Sequence, residues 1–367
     1  MELADRSDLP SQINRTSISR RKKVIFAVVP SLVLAMVVFL FWIFAIPKRG
    51  SALSRYAWER TYSDRHVPIP AIGPRDGGFR GERVFPKSQH PATGWCEPPV
   101  HLPGILEIDS KGLQYHRSSD PSFQILFVGG SVATGTYATT TALTYFGLIG
   151  ARLNADHLPS SITVFAAGAW KSIQDVAAME YVVNSGLKPD LVVYINGLND
   201  LTNGATADTL FGEQTATKNG TRWTRLYHEH DYERRVARYM LNMQNAVKFA
   251  RSQRMAILIV LQPALFERDP LTDVERNLLT ASLTPHESQQ RLAQSYAQMR
   301  SRLAELADDQ HVFFVDCSRL LNADRATTFT DMWHFSDFGH QQLAEALTPH
   351  IEQILKRPAQ RVPVDTQ

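Results

Sequence analysis

Five short apolar runs, each breaking off in glycine or polar residues, leave this chain very few architectures. They are FQILFVGG (123–130), SITVFAAG (161–168), DLVVYINGLND (190–200), MAILIVLQP (255–263) and HVFFVDC (311–317). A run that is apolar at nearly every position, rather than at alternate ones, fits a parallel strand buried on both faces. Between the first two runs, Leu143, Phe146, Ile149 and Leu153 recur at helical spacing over 141–154. A second helix is expected near 172–186, stopping at Gly186 ahead of Pro189. Strands alternating with helices imply βαβ units, hence a mostly parallel sheet with helices on both faces.

Ligands of such open sheets bind at the carboxyl ends of the strands. Gly129-Gly130-Ser131 follows the first run, where small residues allow a sharp turn that leaves a hydroxyl exposed. Gly168 follows the second, and Gly197-Leu198-Asn199-Asp200 the third. Near the C-terminus, Asp331-Met332-Trp333-His334 precedes a helical stretch. A serine hydroxyl needs a base to become a nucleophile. His334 can take its proton, and Asp331, three residues earlier, can hold the other imidazole nitrogen and fix the tautomer. The N–H groups of Ser131 and Gly168 and the side-chain amide of Asn199 are candidate donors to a tetrahedral oxyanion.

This set resembles the SGNH (GDSL-type) hydrolases, whose namesake serine, glycine, asparagine and histidine lie in separate blocks. Here they correspond to Ser131, Gly168, Asn199 and His334, with Asp331 completing a triad. The similarity runs over about residues 105–350 and includes the upstream stretch Asp109-Ser110-Lys111-Gly112-Leu113. The first block departs from the family form: GGSV stands for GDSL, so Gly130 and Val132 replace an Asp and a Leu outside the triad. The resemblance implies a flavodoxin-like three-layer α/β sandwich and cleavage of small acyl esters through an acyl-enzyme.

Each residue also has a plainer reading. Ser131 could be a helix N-cap, Gly168 a turn residue after its strand, and Asn199 could organise its own loop. Asp331 and His334 could be a surface capping pair. Asp200 is expected to shape its loop or cap the next segment, Asp316 to cap a strand end, and His340 to be solvated or structural. Cys96 and Cys317 could form a disulfide or remain free thiols. Neither cysteine lies in a CxxC or Cys/His cluster, so no structural metal is expected and no cofactor is called for.

Outside the strand-and-helix region the chain changes character. Residues 24–46 (VIFAVVPSLVLAMVVFLFWIFAI) carry no charge. As a helix they would span roughly 35 Å, enough for a single transmembrane anchor, and Trp42 falls where an interfacial aromatic is expected. Arg20, Arg21, Lys22 and Lys23 precede the run, whereas Lys48 and Arg49 follow it, with Arg55 and Arg60 further on. The positive-inside rule then favours a cytoplasmic tail over 1–23 and an extracytoplasmic catalytic domain over 121–356. Residues 47–120, rich in Pro, Gly, Arg and His, read as an irregular connector packing on that domain. Residues 203–246 lack the strand-helix rhythm and read as an insertion, a candidate lid. The sequons at Asn14 and Asn219 would matter only in a glycosylating pathway. With 39 basic against 36 acidic side chains, the chain has no nucleic-acid footprint.

The expected function is therefore hydrolysis of small acyl esters, O-acetyl groups on cell-surface or exported glycans being the class that fits the placement. Two alternatives share the sequence: an O-acyltransferase using the same triad on a polysaccharide, and a non-catalytic membrane-anchored scaffold.

Overall fold

The computed structural model describes residues 34, 36, 52–75, 87–202, 231–282 and 286–357. The chain divides into two units, Met1–Arg49 and Gly50–Gln367. In the first, only the helical, exposed Leu34 and Met36 are described. The rest of the 24–46 run, the 1–23 tail, both sequons and residues 203–230 lie outside the described residues. Among the described residues no helix is long and apolar enough to cross a membrane.

The second unit opens with helix α1 over 52–63. Four short strands follow, pairing as two antiparallel hairpins: β1 (Ser88–His90) with β2 (Gly94–Cys96), and β3 (Val100–Leu102) with β4 (Leu106–Ile108). Then come β5 (Leu113–His116), β6 (Phe123–Gly129), α2 (Ser131–Thr134), α3 (Tyr145–Ala155), β7 (Ser160–Ala166) and α4 (Ser172–Asn184). The chain continues through β8 (Leu191–Asn196), α5 (Leu198–Thr202), α6 (Asp231–Ser252), β9 (Ala256–Leu261) and α7 (Asp273–Ser282). It ends with α8 (His286–Leu306), β10 (Val312–Asp316) and α9 (Asp337–Leu355).

The central sheet has six strands in the order β10-β9-β8-β6-β7-β5. All neighbours are parallel except β5 and β7. Taken along the chain, the five parallel strands stand in the doubly wound order 2-1-3-4-5, the flavodoxin-like arrangement. Side chains alternate across β6. Leu126 and Val128 enter one core with α4, α6 and α8; Ile125 and Phe127 enter the other with α3 and α9. Both faces are thus covered, which is why these strands are apolar throughout rather than alternating.

Three regions differ from the sequence expectation. Residues 47–120 contain regular structure, and β5 from this segment is an integral strand of the main sheet. Within the stretch assigned to an insertion, 231–246 belongs to the long helix α6, whose buried Tyr232, Val236, Tyr239, Met240, Met243, Ala246, Val247 and Ala250 follow the helical period. Leu143 lies in a single 3₁₀ turn and is 39% exposed, while Phe146, Ile149 and Leu153 of α3 are fully buried. Cys96 and Cys317 are both free and buried.

Candidate active site

The register of the sheet brings three of the sequence-predicted residues to one edge. Gly129 at the end of β6 lies opposite Ala166 of β7 and Ile195 of β8. The residues leaving these strands, Ser131, Gly168 and Asn199, therefore emerge together. Ser131 and Asn199 flank the boundary between β6 and β8, where the winding of the sheet reverses and a crevice opens.

Ser131 is the first residue of α2. The turn into it depends on two glycines. Gly129 has φ +155, and a side chain there would strike the Ile195 carbonyl. A side chain on Gly130 would strike the amide nitrogen of Asn199. The departure from GDSL at this position is thereby accounted for: in this chain the Asn199 amide packs directly against Gly130. As the leading residue of a helix, Ser131 also presents a backbone N–H that intrahelical bonding does not use.

His334 reaches the same edge from the loop between β10 and α9. That loop is fixed by an isolated bridge between Phe329 and Phe335 and by the Thr330 N–H donating to the His334 carbonyl at 2.9 Å. Asp331 Oδ1 accepts the N–H groups of Trp333 (2.7 Å) and His334 (2.8 Å), so the short loop closes on its own carboxylate. The same carboxylate receives His334 Nδ1 at 2.8 and 2.9 Å, and His334 Nε2 lies 2.6 Å from Ser131 Oγ. With Nδ1–H donating to Asp331, Nε2 carries the lone pair that faces the serine hydroxyl. Burial alone would raise the Asp331 carboxyl. The His334 charge and the three N–H groups aimed at it outweigh burial and hold it below the usual carboxylate range.

The oxyanion candidates are arranged unevenly. Asn199 Nδ2 donates one hydrogen bond to the Trp170 carbonyl at 2.9 Å, which aims the amide and leaves its second N–H. The Gly168 N–H donates to Glu97 Oε1 at 2.7 Å. The Gly168 carbonyl accepts from Lys87 Nζ and, at 3.4 Å, from Trp95 Nε1. The next residue, Ala169, has φ +68, and Trp170 Nε1 bonds back to the Trp95 carbonyl at 3.0 Å. Glu97, Lys87 and Trp95 come from the segment read as an irregular connector. No motif or periodicity marks them in the sequence.

The remaining polar residues take supporting places. Asp200 accepts from Ser172 N at 3.1 Å and Ser172 Oγ at 2.5 Å, so it ties α5 to the start of α4. Asp316 caps its strand end by accepting from the Ser318 N–H at 3.0 Å, and it pairs with Arg300. His340 is fully buried on α9, with Nε2–H donating to the Thr136 carbonyl at 3.0 Å. Among the described residues no three His, Cys, Asp or Glu side chains converge as a metal site.

The GDSL-like lipase/acylhydrolase family model matches residues 127–342, from within β6 to within α9, and the match contains Ser131, Gly168, Asn199, Asp331 and His334. The chain belongs to this family. It is an SGNH-type serine ester hydrolase by that membership. Among solved structures it is similar to an acetyl xylan esterase, AlAXEase, at 16% identity, covering 62% of this chain and 99% of that one with a TM-score of 0.42. It is also similar to a putative acylhydrolase from Bacteroides fragilis, at 16% identity, 66% and 92% coverage and a TM-score of 0.41. A carbohydrate acetylesterase family member from Sinorhizobium meliloti gives 16% identity, 64% and 99% coverage and a TM-score of 0.40. No curated protein matches the chain.

Proposed function

We propose that this family member cleaves small acyl esters, O-acetyl groups on glycans in particular, with Ser131 as nucleophile, His334 as acid and base, and Asp331 as its orienting partner. One observation carries the assignment: a single imidazole spans Ser131 Oγ at 2.6 Å and Asp331 Oδ2 at 2.8 Å. A capping pair or a helix N-cap would not require that line of three.

Ser131 Oγ attacks the ester carbonyl carbon as its proton passes to His334 Nε2. The carbonyl electron pair moves onto oxygen, which the Ser131 N–H and the Asn199 amide receive, with the Gly168 N–H on the third side. Asp331 stays ionised and stabilises the imidazolium. Collapse of the intermediate breaks the bond to the alcohol oxygen, which takes the proton from Nε2. Water then repeats the sequence on the acyl-enzyme and releases the acid. The small acyl group is what membership of the GDSL-like lipase/acylhydrolase family supports. The uncharged 24–46 run supports an anchored protein, and the basic Arg20, Arg21, Lys22 and Lys23 before it favour a catalytic unit outside the cytoplasm, a placement that protease accessibility of the intact cell or vesicle would check.

The test of the chemistry is covalent labelling by a fluorophosphonate. The wild-type chain is expected to label and Ser131→Ala to remain unlabelled, with hydrolysis of p-nitrophenyl acetate lost in parallel. A folded wild-type chain that neither labels nor hydrolyses would return the scaffold reading to first place.

A further inference from the structure

Two charged side chains from outside the family match close on the oxyanion loop. Gly168 is gripped on both sides of its backbone: Glu97 takes its N–H at 2.7 Å, and Lys87 and Trp95 take its carbonyl. The point that a side chain on Gly168 would occupy lies 3.5 Å from Glu97 Oε1, 3.9 Å from Lys87 Nζ and 4.0 Å from Ser131 Cβ. The carboxylate therefore occupies a donor that the chemistry needs, against the same side-chain position of Gly168 that Ser131 Cβ approaches. A carboxylate oxygen on that backbone N–H has the charge and the hydrogen-bond demand of an oxyanion.

We propose that Glu97 is a specificity-determining residue, whose carboxylate competes with the substrate's carbonyl oxygen for the Gly168 N–H. This rests on reading Ser131 as the nucleophile. The ester enters productive geometry only by displacing Glu97, and Lys87, fixed at the neighbouring carbonyl, supplies a positive charge close to the displaced carboxylate. The protein thereby sets a threshold: a carbonyl oxygen that bonds weakly, or an acyl group too bulky to pass Glu97, leaves the donor with the carboxylate. Trp95 and Trp170 hold β2, which ends one residue before Glu97, against the loop through the 3.0 Å bond between Trp170 Nε1 and the Trp95 carbonyl, so the competition is between a tethered group and a diffusing one.

The experiment compares the full-length wild-type chain with Glu97→Ala and Glu97→Gln in p-nitrophenyl acetate hydrolysis and fluorophosphonate labelling. Removing a charged competitor for one hydrogen bond is expected to lower KM about tenfold while kcat stays within about twofold. Gln, which keeps an acceptor without the charge, should fall between Ala and wild type. Sodium acetate should inhibit Glu97→Ala at lower concentration than wild type, because the emptied donor accepts a free carboxylate. Should Glu97→Ala fail to fold, a lower KM in Glu97→Gln supports the same role. An unchanged or raised KM in a labelled, folded variant, or a fall in kcat alongside it, would overturn the role of Glu97 and make it a support for the loop. If wild type and both variants neither label nor turn over, the serine-esterase reading itself is what fails.

Discussion

The ring of Tyr137 lies against the imidazole of His334, centroids 5.5 Å apart and planes 33° apart, on a backbone with φ +71. A bulky residue in that region costs on the order of 1 kcal/mol and persists only where its surroundings over-determine it. Here they do: Tyr137 is buried with Trp58 and Tyr62 of α1 and beside Phe338. Tyr62 Oη in turn donates to Asp337 Oδ2 at 2.8 Å, as the Thr139 N–H does to Oδ1 at 2.8 Å. Tyr137→Ala is expected to lower kcat by about tenfold to a hundredfold, the scale of a misplaced catalytic group, and Tyr137→Phe keeps the ring against His334 while removing only the hydroxyl. Tyr137→Gly separates ring from backbone, since it should be more stable than the Ala variant and equally slow. Steady-state kinetics and thermal melts of the three variants decide this; a slow Phe variant would point to the hydroxyl instead of the ring.

Gly130 and Asn199 should behave as one unit. The β-carbon of Gly130→Ala would collide with the Asn199 amide nitrogen, displacing the donor without deleting it. Loss of one oxyanion donor costs about 10²–10³ in kcat, and Gly130→Ala is expected to approach Asn199→Ala. The double variant should then be little slower than either single one. Fully additive losses would show that the two substitutions act independently.

Asp331→Asn tests the orientation of the imidazole. An amide oxygen can still accept the Trp333 and His334 N–H groups, but its NH₂ then faces Nδ1 and favours a proton on Nε2, the wrong tautomer for drawing the proton from Ser131. A fall in kcat on the order of 10³–10⁴ is expected, with a cooperative thermal melt as the control that the variant still folds. A loss below tenfold would mean that Asp331 does not fix the tautomer.

His340 sets an acid limit on the fold. Burial, and then the nearby Arg75 and His334 charges, push its imidazole down to about 3, against the bond to Thr136 that raises it. A group with a depressed folded value is stabilising above its unfolded value, about 6.5 for histidine. Below that the unfolded chain takes up a proton that the folded one refuses, so stability drains away as pH falls from about 6.5 towards 3, by up to about 1.4 kcal/mol per pH unit. Chemical denaturation across this window should show a shallower decline for His340→Gln, which can keep the bond to Thr136 and does not titrate. Parallel declines would assign the acid lability to other groups.

The sequence was most legible where burial is symmetrical. The strands β6, β8 and β9 are covered on both faces, so their apolar runs needed no partner to be recognised. The residues at their ends could be read as a site because the direction of a parallel strand says which end is open. What stayed hidden depends on tertiary context. The four residues of β5, with Leu113 and Gln114 buried and Tyr115 and His116 only partly so, carry too short a pattern to announce a strand. The apolar stripe of α6 is diluted by Glu233, Arg234, Arg235 and Arg238, so its period is plain only once its buried face is known. Glu97 sits in an ordinary CEPP stretch, and its place beside Gly168 comes from a contact 71 positions away in the chain.

The antiparallel pairing of β5 with β7 has a practical corollary for how this hydrolase is handled. A fragment cut to begin at β6 would lose β5 and leave β7 with a bare row of backbone donors and acceptors along Ile162–Phe165, an open template for a strand from another molecule. Such a fragment is expected to self-associate, whatever its catalytic residues could do. The residues upstream of the match are thus the selvage of the sheet, and the natural unit of the enzyme begins well before its recognisable domain.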